Sequence, residues 1–400
     1  MRLHSSGWYL SLSSYWFASS LKWFAVLLVV LPGRVAEVAP DNSVAALALL
    51  FAVGAVMALV GPPLWGYVSD RVGRRMPFIV MGAVLTGVAL VWLAYAPSYW
   101  QLLLAFVLLQ AADDVAAGPY AALIPDRAAR LEHGLASGWL GALQALGSIL
   151  GGLMGFVVVS QQWQLLLIAL VNLGAAWLVF RYIGETPGLK PQSVGLVRGL
   201  LAPWRNADFT WVWLTRFLMT LAQWMVLFYL QFFVANRVLG WQGLADDAGQ
   251  AVALLGLVIY VGAIIVSVWA GAHSDRAGRK PTILWAGVGL GLLTVVMLLV
   301  PRFELLLLAA LVFGLLYGAY LAVSWALAAD ILPNPMSHGA DMGVWQTSSV
   351  LPQVLGGLLA GALGAQGAEV GQANYALVFL LAAVCFVLAG VLVGRVRKAK

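Results

Sequence analysis

Charge is what this chain is short of. Only 10% of its 400 residues are Asp, Glu, Lys or Arg, whereas a soluble domain carries about 25%. So few ionic groups cannot cover a water-facing surface, which excludes an ordinary soluble globule. Cysteine occurs once, as Cys385 inside an apolar run, which excludes a disulfide framework and a cysteine metal cluster. The four histidines, His4, His133, His273 and His338, are scattered near expected loops without ligand spacing. Metal catalysis therefore has little support, and no nucleophile–base set suggests an enzyme. What the chain does have is apolar bulk. It is 62% hydrophobic with a mean hydropathy of +0.93, the composition of an integral membrane protein.

About 20 apolar residues cross a bilayer as a helix. Runs of this kind fall at about 11–31, 44–68, 78–97, 100–124, 135–160 and 163–182. Six more follow at about 208–234, 248–270, 282–300, 304–329, 342–363 and 375–393. The first run, behind Arg2, is too long for a signal peptide and lacks a small-x-small cleavage site, so it is read as a retained span. Between the two sets lies a polar stretch, 184–207, with Pro187, Pro191, Pro203, Lys190, Arg198 and Arg205. It reads as a linker between an N-terminal unit, 1–183, and a C-terminal unit, 208–400.

The basic residues test this map. Counting Arg181 at the end of span 6 with the linker, all but five of the 22 Lys and Arg lie in the N-terminus, in the loops after spans 2, 4 and 8, in the linker or in the C-terminal tail. The exceptions are Arg34, Arg237 and Arg302 on the opposite side, and Lys22 and Arg216 within spans. Positive loops stay cytoplasmic, so both termini are expected inside an inner cell membrane. The net charge of +6 is thus a topology signal, and nucleic-acid binding is set aside.

One polar hairpin stands out between spans 2 and 3: Gly66-Tyr67-Val68-Ser69-Asp70-Arg71-Val72-Gly73-Arg74-Arg75-Met76-Pro77. It returns between spans 8 and 9 as Gly271-Ala272-His273-Ser274-Asp275-Arg276-Ala277-Gly278-Arg279-Lys280-Pro281, identical at six of the first ten positions. Span 4 ends in Ile124-Pro125-Asp126 and span 10 in Ala328-Ala329-Asp330. Spans 1 and 7 carry Lys22-Trp23 and Gln223-Trp224. A repeat at half the chain length means duplicated halves, which in membranes points to transporters. The expected fold is all-α, with 12 transmembrane helices in two pseudo-symmetric six-helix bundles around a central cavity.

The two hairpins resemble the signature of the major facilitator superfamily, and the resemblance covers essentially the whole chain. It implies that the motif Asp faces the start of span 11, in the other half. It also implies that a motif Arg pairs with the acid ending span 4 or span 10. Carried over, Asp70 would lie at the helix start near Asp341 and Arg74 would pair with Asp126. Asp275, Arg279 and Asp330 would repeat this, as a latch that forms only when the cytoplasmic side is closed. Arg71, Arg75 and Lys280 are expected only to set topology. Gly73-Arg74-Arg75-Met76-Pro77-Phe78-Ile79 and Pro119-Tyr120-Ala121-Ala122-Leu123-Ile124-Pro125-Asp126 look like the plant sucrose carriers and the glycoside–pentoside–hexuronide cation symporters. The sodium-using melibiose permeases place acids on spans 2 and 4. Span 2 has none here, so a proton is the expected coupling ion. Span 5 reads Gly147-Ser148-Ile149-Leu150-Gly151-Gly152, without the proline that proton antiporters of the family often carry.

Intramembrane charges are expensive and tend to line cavities or pair. Lys22 and Asp113 each lie about 11 residues from the inner ends of spans 1 and 4, about 16 Å deep. Burial opposes ionisation of an acid and a nearby ammonium favours it, the competition a proton switch needs. Lys22, Asp113 and Asp114 are therefore the candidate coupling residues, a static salt bridge being the alternative. Asp113 and Asp114 point about 100° apart, so one faces a different helix. Arg216 either holds an anionic substrate or snorkels to the headgroups. Tyr120, Gln144, Gln223, Trp224, Tyr317, Tyr320 and Gln346, with Gln353 and Trp325, are the other polar and aromatic candidates. Amides with aromatics suit a sugar. The leading expectation is a monomeric secondary transporter carrying a sugar or glycoside with a proton. The alternatives are export of an amphipathic compound or lipid, and a non-transporting membrane assembly factor.

Overall fold

A computed structural model describes residues 4–158, 160–299, 302–332, 334–364 and 374–397. Within lipid every backbone N–H and C=O must be satisfied inside the segment, so apolar runs of this length become helices. Helix α1 is Ser6–Ala25, which continues through a π-helical turn, Val26–Val30, into Leu31–Val38. Then follow α2 Ser43–Val72, α3 Met76–Tyr95, α4 Tyr99–Ala121, α5 His133–Val157 and α6 Gln161–Leu178. In the second half α7 is Ala207–Arg237, α8 Ala248–Ala277 and α9 Lys280–Leu299. Helices α10 Phe303–Ile331, α11 His338–Gly364 and α12 Tyr375–Leu392 complete the chain.

Among the described residues nine helices are long and apolar enough to cross a membrane, so the protein is an all-α, multi-pass membrane protein. Helix α1 is less apolar for a physical reason. Its Ser11, Ser13, Ser14, Ser19, Ser20 and Lys22 are all buried against protein, so this face never meets lipid.

The packing pairs repeat between halves. Helix α1 packs on α5 as α7 does on α11, α2 on α4 as α8 on α10, and α3 on α6 as α9 on α12. The crossings between the halves repeat as well, α2 meeting α11 and α5 meeting α8. Glycine makes these crossings close. A Cβ at Gly66 would run into the Gly339 carbonyl oxygen, and one at Gly271 into that of Gly134.

Several sequence expectations shift. Helix α1 begins at Ser6 rather than residue 11, and the motif is mostly helix rather than hairpin. Gly66 to Val72 are the last turns of α2, and only residues 73–75 connect it to α3. The linker holds a short helix, Leu196–Leu201, and is tied to the motif by Tyr67 Oη donating to the Val194 carbonyl at 2.6 Å. Val300, the expected end of span 9, and the tail residues Lys398 and Lys400 lie outside the described residues.

Candidate functional site

Two sites emerge, one buried midway along α1 and α4, the other where the halves touch at the motif ends. In the first, Lys22 is fully buried and its Nζ pairs with Asp113 Oδ1. Trp23 Nε1 donates to the other Asp113 oxygen at 2.6 Å. Asp114, one residue on, turns elsewhere. It accepts from Gln110 Nε2 at 2.9 Å and its side chain fills the space a Cβ at Gly61 on α2 would need. Lys22 and Asp113 thus neutralise each other, while Asp114 forms no salt bridge among the described residues. The π-helical turn of α1 starts four residues after Lys22, and such turns often mark functional positions.

The motif site is doubled. Asp70 accepts from the backbone N–H of Gly339 at 3.1 Å and of Ala340 at 2.7 Å, at the start of α11. A carboxylate suits that place because the first N–H groups of a helix have no partner of their own. Arg75 reaches Asp70 at 2.6 Å and Asp126 at 2.9 Å, and donates to Ser69 Oγ at 2.5 Å. In the other half Asp275 accepts from Gly134 and Leu135 at 2.8 and 2.9 Å, at the start of α5. Arg279 reaches Asp275 at 2.6 Å and Asp330 at 3.1 Å, and donates to Ser274 Oγ at 2.6 Å.

Here one residue assignment is corrected. Arg74 is exposed and Arg75, expected only to set topology, is the buried cation that pairs with Asp126. Gly73 adopts φ +73° and closes α2, leaving two more residues before α3. In the second hairpin Gly278 has a different backbone conformation, and α9 begins at Lys280. The loops therefore differ by one residue, and the cation in each is the residue just before the next helix. Burial disfavours the Arg75 charge, but Asp126 and Asp70 outweigh it and hold the guanidinium's pKa above its ordinary value. Glu185 supports the corner by accepting from the Arg75 and Met76 N–H groups at 2.6 and 3.2 Å.

Two histidines complete the motif site. His338 Nδ1 lies 2.6 Å from Asp126 Oδ1, and His133 Nδ1 lies 2.8 Å from Asp330 Oδ1. Each is the first residue of its helix, α11 or α5, and reaches across to the other half. Nothing about ligand spacing reveals them. The signal was the dipeptide: His133-Gly134 and His338-Gly339 stand at the same offset as Asp70 and Asp275. Asp341 lies beside this cluster. Burial raises its pKa to about 7, the Ser337 hydroxyl opposing and Asp70 adding to the shift.

The remaining sequence candidates are spread along the interior. Tyr120 donates to the Leu12 carbonyl and is flanked by Tyr15 and Trp16. Tyr317 donates to Gln223 Oε1, and Gln346 Nε2 reaches the Ala117 carbonyl of the other half at 3.4 Å. Trp224 packs on Phe228, Gln144 is half-buried and Gln353 is exposed. Tyr320 is buried on α10, and Arg216 is buried among Ser324, Ser349, Trp325 and Trp345.

Comparison with known proteins fits this architecture. Over 136 residues, 33% of this chain and 34% of the relative, it is 30% identical to the class C tetracycline resistance protein of Escherichia coli. The chain thus spans about a third of that relative's length. In solved structures the chain superposes on the proton:xylose symporter XylE with TM-score 0.76 and 15% identity, covering 99% of this chain and 97% of that one. On the human organic anion transporter MFSD10 (TETRAN) the TM-score is 0.73 at 17% identity, covering 97% and 98%. The sequence profile of the Major Facilitator Superfamily matches residues 8–266 and 244–400, and the chain belongs to that family of membrane transporters.

Proposed function

We propose that this transporter exports an amphipathic compound in exchange for protons, by alternating access. In this reading α1–α12 are twelve spans in two six-helix bundles, 1–183 and 208–400, joined by a cytoplasmic linker, 184–207. The clustered basic residues support a cytoplasmic side for both termini. The observation that carries the reading is the arrangement on α4. Asp113 is neutralised by Lys22 on α1, while Asp114 is buried against Gly61 on α2, hydrogen-bonded to Gln110 and without a salt bridge among the described residues. A buried acid without a cation is a proton acceptor by default, and it shares its helix with a charge pair that a proton could break.

The cargo class is read from the interior. Trp16 meets Trp325 across the halves at 5.8 Å between ring centres, and Trp325 meets Trp345 at 4.7 Å. Such a wall suits a flat apolar body, and the likeness to a tetracycline resistance protein supports the same class. Proton–sugar symport draws less support. The groups that would meet sugar hydroxyls, Tyr120, Tyr317 and Gln223, are already bonded to the protein itself.

In this reading the closed contacts at the motif ends mark a cytoplasm-closed state, with Asp70, Arg75, Asp126, Asp275, Arg279 and Asp330 as the cytoplasmic gate. Proteoliposomes under an imposed pH gradient test the whole reading with panels of amphipathic drugs and of sugars. Uphill movement of an amphipathic compound against proton flow is expected. Asp113→Asn and Asp114→Asn should abolish uphill accumulation while exchange across the membrane persists. If both variants still concentrate the compound, the acids are structural. If only a sugar moves, and with the proton, the symport reading replaces this one.

A further inference from the structure

One buried cation of the second half, Arg216, has no acid beside it among the described residues. Arg216 is 9% exposed on α7, about 9 Å from that helix's midpoint toward the motif end. Its Nε donates to Ser349 Oγ on α11 at 2.7 Å, and Nη1 to Ser324 Oγ on α10 at 3.3 Å. The guanidinium carbon stands 3.9 Å from the ring centre of Trp345 and 5.5 Å from that of Trp325. Lys22, Arg75 and Arg279 are buried to a similar degree and each has at least one carboxylate partner. Among the described residues Arg216 has none.

Hydroxyls and indole faces orient a guanidinium but do not neutralise it. Two further groups able to donate stand close by. The Tyr320 hydroxyl, one turn from Ser324 on α10, and the Trp345 indole N–H are both buried with no hydrogen-bond partner. Indole and guanidinium can only donate. A guanidinium with unmatched donors around it and no carboxylate is short of an oxyanion, and hydrogen bonds to charged groups are among the strong ones.

We propose that Arg216 is the recognition point for an oxyanion, a carboxylate, sulfonate or phosphate, carried on an aromatic or amphipathic body. The anionic group meets Arg216, Tyr320 and Trp345, and the apolar body lies against Trp325 and Trp16. This rests on the transport reading above for its cargo but is tested by binding alone. Protein in phosphatidylcholine nanodiscs is equilibrated with 2-naphthoate, 2-naphthamide or 2-naphthylmethylammonium, and uptake by empty discs is subtracted. The acid should bind at least tenfold more tightly than the amide or the amine. Arg216→Gln should erase that preference, and Arg216→Lys should retain part of it.

Equal binding of acid and amide by the unaltered protein would overturn the proposal, as would binding of none of the three at millimolar concentration. A preference for the acid that survives Arg216→Gln would overturn it too. The comparison of probes on unaltered protein decides even if a variant fails to fold. Replacing a third of the lipid with phosphatidylglycerol identifies the source of the oxyanion. Weakened naphthoate binding there assigns the site to lipid phosphate, and unchanged binding assigns it to a soluble anion. An acid preference without proton-driven transport would sink the transport reading and leave this one standing.

Discussion

Arg75 and Arg74 are neighbours with opposite fates. One is fully buried between two carboxylates and the other is exposed. Removing one partner of a buried ion pair costs about 3–5 kcal/mol, so Arg75→Gln should strongly destabilise the cytoplasm-closed state while Arg74→Gln changes little. In the second half the sensitive position is Arg279 and the tolerant one Lys280. Labelling of a cysteine placed in the cytoplasmic mouth measures this, and equal labelling in the Arg74 and Arg75 variants would refute the assignment. Asp341 gives the gate a pH dependence. Its carboxyl is buried beside Asp70, Ser337 and His338, near the Arg75–Asp126 pair, and its pKa is raised to about 7 in the closed state. An acid with a raised pKa supports that state fully below its ordinary value of about 4. That support is lost as pH rises through about 7. The closed population should therefore fall from acid toward neutral pH, and Asp341→Asn should flatten this part of the profile.

At the scale of helices, the halves meet through glycine. Gly66 and Gly339 let α2 and α11 touch backbone to backbone, and only at that approach can Asp70 cap α11. Gly271 and Gly134 do the same for α8 and α5. Gly66→Leu inserts a side chain where the Gly339 carbonyl now lies, so the two helix ends must separate. The expected result is a protein that still inserts and binds probe but whose cytoplasmic mouth stays accessible. Turnover should drop at least tenfold. Normal turnover in Gly66→Leu would show that the close approach is dispensable.

In the whole molecule the motif site occurs twice, each copy made of an Asp cap, an Arg pair and a histidine from the opposite half, and the proposed function makes each a gate. His338 leans on Asp126 and His133 on Asp330, and the two sites share no residue. Independent sites add. His133→Ala and His338→Ala should each shift the equilibrium partway toward cytoplasm-open, and the free-energy shift of the double variant should be the sum of the two. Spin labels at exposed Leu131 and Arg276, on opposite halves, report the separation by double electron–electron resonance. A double variant no different from either single one would show that the gates act as one.

The apolar helices, the internal duplication and the pairing of Lys22 with an acid of α4 were legible in the sequence. The bilayer sets a one-dimensional demand, about 20 apolar residues per crossing, and a charge inside such a run has few places to be. The motif repeat likewise marked Asp70 and Asp275 without coordinates. What only the tertiary structure decided was every question of which atom meets which. Whether Arg74 or Arg75 turns inward depends on one residue of loop, set by the left-handed Gly73. Whether Tyr120 and Gln223 are free for a ligand depends on the rotation of α1, α4, α7 and α10, since a helix side chain moves about 100° per residue. Hydropathy is blind to that rotation, because lipid-facing and protein-facing positions are equally apolar. Packing between helices fixes it. The same packing places His133 and His338 on the acids of the opposite half and leaves Arg216 without one among the described residues.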